Sequence, residues 1–124
     1  MKYCWTTIRV KNLDASIKFY REILGLMENK RFPAGPGVEI AFLGEGETLV
    51  ELICREGDRK LDIGPDISLG FQAGPLEQVM ELLKEKGIDI ISGPHQPNPH
   101  MRYLFIEDPN DLKIQLVEIM EEKE

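Results

Sequence analysis

Residues 47–54, Glu-Thr-Leu-Val-Glu-Leu-Ile-Cys, form a mostly apolar run with one carboxylate near its centre, and that run predicts a strand. Strand side chains alternate faces, so Glu51 shares a face with Leu49 and Ile53 while Val50 and Leu52 point the other way. A carboxylate so placed sits either at the rim of a sheet or in a cavity where it pairs with a ligand or does chemistry. Residues 3–10 are β-branched and aromatic and predict another strand, with Tyr3, Trp5, Thr7 and Arg9 on one face and Cys4, Thr6, Ile8 and Val10 on the other. Between the two, Asn12 or Asp14 caps a helix whose apolar positions Leu13, Ile17, Tyr20 and Leu24 recur at helical spacing up to Gly25. Strands follow over Leu26 to Arg31 and, after the loop from Phe32 to Gly37, over Val38 to Leu43.

The second half of the chain repeats this order. Ile67 to Ala73 predicts a strand, and Pro75 opens a helix with Leu76, Val79, Met80 and Leu83 on one face, closed by Gly87. Ile88 to Ile91 predicts a strand, Ser92 to His100 a proline-rich loop, Met101 to Glu107 a strand, and Leu112 to Glu118 the last strand after the turn Asp108-Pro109-Asn110-Asp111. Superposing the halves sets Leu13 over Leu76, Trp5 over Ser68 and, with one extra residue in the later turn, Glu51 over Gln115. The expected fold is α+β: two βαβββ modules, about residues 1–60 and 66–120, divided in the charged loop 55–65 of a single domain. Each sheet with a helix on one face leaves its other face to be covered, and two such sheets side by side curl into paired open barrels. The concave face then carries Trp5, Thr7 and Arg9, with Leu49, Glu51 and Ile53, in the first module. In the second it carries Ser68, Gly70 and Gln72, with Lys113, Gln115 and Val117. Polar groups at the middle of that face mark the expected ligand pocket.

Charge and composition remove several classes of function. A net charge of −7 without a lysine and arginine cluster argues against nucleic acid. Much of the acidic excess falls in the tail from Glu118 to Glu124, expected to be a solvated end. No apolar run approaches a membrane span and the N-terminus has no signal-peptide layout, so the expectation is a cytoplasmic protein with no membrane partner. Cys4 and Cys54 fit neither a disulfide framework nor a zinc ribbon and are expected to be buried free thiols.

Ile8 to Tyr20 (Ile-Arg-Val-Lys-Asn-Leu-Asp-Ala-Ser-Ile-Lys-Phe-Tyr), Leu24-Gly25-Leu26, Val50-Glu51-Leu52, Glu107-Asp108-Pro109-Asn110 and Lys113-Ile114-Gln115-Leu116 together resemble the vicinal oxygen chelate superfamily. That group includes glyoxalase I, the extradiol dioxygenases and the fosfomycin- and bleomycin-resistance proteins. The resemblance covers essentially the whole chain and is closest to the glyoxalase I branch. It implies a cup holding one divalent metal (nickel, zinc, iron or manganese), with a histidine and a glutamate from each module. Those positions correspond to Trp5, Glu51, Ser68 and Gln115, and only Glu51 matches. Arg9 corresponds to a position that in glyoxalase I binds the anionic end of glutathione. His95 and His100 lie in the proline-rich loop at a spacing that matches no strong metal motif.

The expected function is therefore that of a glyoxalase/bleomycin resistance-family protein with a degenerate metal site. It would bind a planar or cationic small molecule through Trp5, Thr7, Arg9, Glu51, Ser68, Gln72 and Gln115, without a cofactor. The alternatives are a lyase acting without metal through Glu51 as general base, with Ser68 and Gln115 as donors to an oxyanion, or an enzyme with a relocated metal. Trp5 is also accounted for as a filler of the space an ion would have left. The resemblance further implies a homodimer, the cup being formed within one chain or across two.

Overall fold

The computed structural model, which describes residues 1–46, 48–57 and 60–120, contains the βαβββ order twice. The first unit, Met1–Asp62, holds β1 (Trp5–Arg9), α1 (Leu13–Glu22), β2 (Glu28–Pro33), β3 (Val38–Leu43) and β4 (Leu49–Arg55). The second, Ile63–Glu124, holds β5 (Ser68–Ala73), α2 (Leu76–Glu85), β6 (Ser92–Asn98), β7 (Met101–Glu107) and β8 (Lys113–Ile119). Each forms an open four-stranded sheet, ordered β1-β4-β3-β2 and β5-β8-β7-β6, with the first pair parallel and the others antiparallel. The expected α+β class and its internal repeat are thus observed. Register carries the repeat to single residues: Thr7 pairs with Glu51 and Gly70 with Gln115, so Trp5 and Ser68, two residues earlier, occupy equivalent places.

Strand parity separates a core face from an open face. In the first unit Ile8, Val10, Ala41, Leu43 and Leu52 are buried along with Leu13, Ile17 and Tyr20 of α1, which packs on β3 and β4. In the second, Leu104, Ile106, Ile114 and Leu116 are buried, as are Leu76 and Leu83 of α2. The intervening residues of each strand, including every candidate site residue, lie on the opposite face.

The helices start by different devices. Asn12 rather than Asp14 caps α1, its side chain accepting from Ala15 N at 2.9 Å. Helix α2 begins after Pro75, which offers no side-chain cap, and the N–H of Leu76 instead donates to Glu118 Oε1 of β8 at 3.2 Å. Arg102 of β7 fastens the same carboxylate at 2.5 Å and grips Glu77 with two bonds of 2.9 Å each. Glu118 is therefore a half-buried clasp residue, a correction to the solvated tail expected from composition; residues 121–124 lie outside the described residues. Arg31 of β2 plays the same part in the first unit, meeting Asp14 at 2.7 Å and Glu39 at 2.9 Å, and both carboxylates raise its pKa.

The Arg102 guanidinium holds the Glu77 carboxyl below the usual carboxylate range. A depressed acid contributes stability that is full above its unfolded pKa and is lost as pH falls through its folded one. The thermal midpoint of Arg102→Ala is expected several degrees below that of the parent at neutral pH, because Glu118 loses its charged partner and keeps only the Leu76 N–H. The smaller gap for Glu77→Gln closes on acidification; a gap that stays constant through the carboxylate range would show that Glu77 contributes nothing ionic.

Other local expectations are corrected. The strand expected over Leu26 to Arg31 runs Glu28–Pro33, because the N–H of Leu26 is tied back to Tyr20 O at 3.0 Å as the helix closes. Ile88 to Ile91 is not a strand: the N–H of Ile88 returns to Leu83 O at 2.8 Å and that of Gly87 (φ 70°) to Lys84 O, a left-handed helix stop suited to glycine. The segment from Ser92 to His100, expected as a loop, instead supplies edge strand β6, paired at Ser92–Phe105, His95–Tyr103 and Asn98–Met101 with register shifts between. Pro94 and Pro97 lack an N–H, so only an edge position with gaps accommodates them. Gly93 permits the approach, since a Cβ there would stand 2.9 Å from Tyr103 O. Cys4 is exposed and Cys54 half-buried, both free, so the expectation of buried thiols fails: β1 starts only at Trp5 and leaves Cys4 outside the sheet. Glu47, placed in β4 by the sequence pattern, lies outside the described residues.

Candidate functional site

On the open face of the first sheet, β1 presents Trp5, Thr7 and Arg9, all exposed, beside Leu49, Glu51 and Ile53 of β4, all half-buried. Thr7 Oγ1 donates to Glu51 Oε1 at 2.5 Å, which fixes the carboxylate against its cross-strand neighbour. Phe42, the partner of Glu51 on the other side, is buried and meets the Trp5 indole edge-on at a centroid distance of 5.1 Å. Phe32 of β2 extends the row, near-parallel to Phe42 at 6.2 Å. Lys30 Nζ lies 5.0 Å from the Phe42 ring and 5.8 Å from that of Phe32. The indole keeps 47% of its surface exposed. The face is thus an aromatic row ending in an accessible plate, with a carboxylate beside it and an ammonium already over its middle.

Lys30, Phe32 and Phe42 are not among the residues singled out from sequence. Alternation did place Phe42 on one face with Ile40, but its position next to Glu51 depends on the β3–β4 register.

In the second sheet Ser68 and Gln72 are exposed and Gln115 is half-buried. Gly70 leaves space beside Gln115, whose Oε1 would lie 3.5 Å from a Cβ built there. His95 stands in β6, with Nε2 2.6 Å from Ser92 Oγ and its ring 5.2 Å from that of Tyr103. His100 lies in the turn before β7, where its N–H bonds Asn98 Oδ1 at 2.8 Å. Among the described residues no group of three or more His, Cys, Asp or Glu side chains is gathered for a metal ion. No helix among them is long and apolar enough to cross a membrane.

Residues 2–116 match the family model of the Glyoxalase/Bleomycin resistance protein/Dioxygenase superfamily. The chain belongs to that superfamily. Among curated relatives, a probable lactoylglutathione lyase of Synechocystis sp. is 32% identical over 130 residues, covering 96% of each chain. Among solved structures, a glyoxalase I mutant from Zea mays superposes with a TM-score of 0.84 at 27% identity, over 97% of this chain and 46% of that one. A glyoxalase family protein from Bacillus cereus gives the same TM-score of 0.84 at 18% identity, over 98% and 95% of the two chains, a likeness of fold alone. The superfamily membership expected from the sequence motifs is thereby established.

Proposed function

We propose that this superfamily member binds a planar small molecule without a metal ion, using the Trp5 plate and the adjacent Glu51 carboxylate. The observation that carries the reading is the donor set. At the four positions that the resemblance assigns to the ion stand Trp5, Glu51, Ser68 and Gln115. An indole N–H only donates, a serine hydroxyl and a glutamine amide are neutral, and one carboxylate does not hold a divalent cation of the nickel or zinc class. The residues present do not fit the ion. This holds whether a cup draws its modules from one chain or from two, because the four residue types are the same.

The surroundings of Trp5 support a ring-shaped ligand. The indole meets the Phe42 ring nearly at right angles and keeps 47% of its surface exposed, which leaves area for a ligand ring to stack on, at about 0.5–1.5 kcal/mol beyond area burial for each such ring pair. Glu51, oriented by Thr7, accepts a ligand N–H or O–H. Lys30 already occupies the cation position over Phe42 and Phe32, which disfavours a second cation on that row. The planar half of the expectation therefore gains support and the cationic half loses it.

Calorimetric titration with a panel of planar aromatic compounds tests the reading. A binder that also quenches the single tryptophan is expected, with Trp5→Ala weakening it about tenfold or more and Glu51→Gln weakening only compounds that carry a donor. Equal affinity in Trp5→Ala would remove the plate from the site. A second reading is favoured by the name of the Synechocystis relative: isomerisation of the methylglyoxal–glutathione adduct with Glu51 as the proton-transfer group. Turnover by metal-stripped protein that disappears in Glu51→Gln would establish it.

A further inference from the structure

The open face of the second sheet carries a cleft of about 390 Å³, inside the roughly 300–1,000 Å³ range of small-molecule sites. Its floor takes one residue from each strand: Ser68 of β5, Lys113 of β8, Phe105 of β7 and Ser92 of β6. Ser68 and Lys113 are cross-strand partners, as are Ser92 and Phe105. The walls come from the segments that lead into the edge strands, with Ile67 and Ile91 lining the cleft while remaining 56% and 52% exposed. Pro65 and Asp66 complete the lining.

Two features narrow the occupant. The cleft holds one acid and one base, and among the described residues neither the Asp66 nor the Lys113 side chain has a hydrogen-bond or ion-pair partner. Its apolar walls are the Phe105 ring, the Pro65 ring and two branched aliphatic side chains left open to solvent. A ligand that satisfies all of these at once carries both an ammonium and a carboxylate on a compact apolar body. We infer that the cleft is a binding site for a free apolar α-amino acid. Its carboxylate meets Lys113 and the Ser68 hydroxyl, its ammonium meets Asp66, and its side chain lies among Ile67, Ile91 and Phe105.

The occupant is not a simple anion, because Asp66 would repel it, nor an amine, because Lys113 would. The assignment goes beyond the proposed function: the cleft lies wholly within the second unit and includes neither Trp5 nor Glu51, so loss of aromatic binding at Trp5 and loss of binding here are separate results.

Titration calorimetry of the full chain in EDTA with L-phenylalanine, phenylpropionate and phenylethylamine tests the inference. L-Phenylalanine is expected to bind, with each analogue, lacking one charge, about tenfold weaker. Lys113→Met should erase the preference for phenylalanine over phenylethylamine, and Asp66→Asn its preference over phenylpropionate. Each exposed substitution is expected to leave the thermal midpoint in place, so a lost preference reports the site. Absence of phenylalanine binding at millimolar concentration overturns the inference, as does phenylpropionate binding as tightly as phenylalanine, or preferences unchanged in both variants.

Discussion

Combining Trp5→His, Ser68→His and Gln115→Glu is expected to give stoichiometric metal uptake, where the unmodified protein is expected to show none. The three substitutions rebuild the two imidazoles and two carboxylates that the resemblance implies, using the surviving Glu51 as the fourth donor. Each is sterically mild. Gln115→Glu exchanges an amide for an isosteric carboxylate, and Ser68 is exposed on edge strand β5, so a longer side chain meets open space. Trp5→His gives up the edge contact with Phe42, and indole exposure of 47% limits that loss. A metal that binds only the folded state stabilises it by about 4 kcal/mol at a thousandfold excess over Kd, which raises the thermal midpoint on the order of 10 °C. Elemental analysis and thermal melts with and without nickel or zinc check both arms. Stoichiometric metal in the unmodified protein would refute the donor-set argument at its root. A triple variant that folds and stays metal-free would show that the four positions do not come together as the resemblance implies.

The equivalence of these positions between the two halves was legible in the sequence because it needs only parity and repeat; that they correspond to metal positions is what the resemblance implies. Glu51 and Gln115 stand at equivalent points of β4 and β8, and pairing with Thr7 and Gly70 fixes Trp5 and Ser68 as equivalents two residues earlier. The helices were legible too, since Leu13, Ile17 and Tyr20, and Leu76 and Leu83, carry a helical period that the core then buries. Strand β6 was not, for a physical reason: Ser-Gly-Pro-His-Gln-Pro-Asn has no alternating apolar pattern, and β7 holds it as an edge through a few spaced backbone bonds. The apolar residues just before it misled because they close a helix and line a cleft, and Ile91 meets the sheet through its N–H, which donates to Phe105 O at 2.8 Å.

Contacts across neighbouring strands were beyond the sequence for a different reason. Lys30 over Phe42, and Ser92 opposite Phe105, follow from register, and register is set by loop geometry and bulges such as the one between Glu28 and Lys30. The clasps were half-legible. Glu77 follows Leu76 as Asp14 follows Leu13, so the repeat paired the two acids, but nothing local indicated that Arg102 and Arg31 would meet them.

Neighbouring residues of β4 should respond in opposite ways, and the contrast separates fold from function. Leu52→Ala is expected to cost about 2–5 kcal/mol, because Leu52 is fully buried on the helix-facing side and the close-packed core cannot collapse around the vacancy. Urea titration should show a lower midpoint with an unchanged slope. Glu51→Gln, one residue earlier and on the other face, is expected to change stability by less than about 1 kcal/mol, since Thr7 can bond an amide oxygen as it bonds the carboxylate. Its effect should fall on ligand affinity or turnover instead. If Glu51→Gln destabilises as much as Leu52→Ala while every ligand binds unchanged, the carboxylate is a strut of the sheet. If stability is untouched and binding is lost, a charged group has been kept on a mostly apolar face for what it holds there, the condition any function of this face requires.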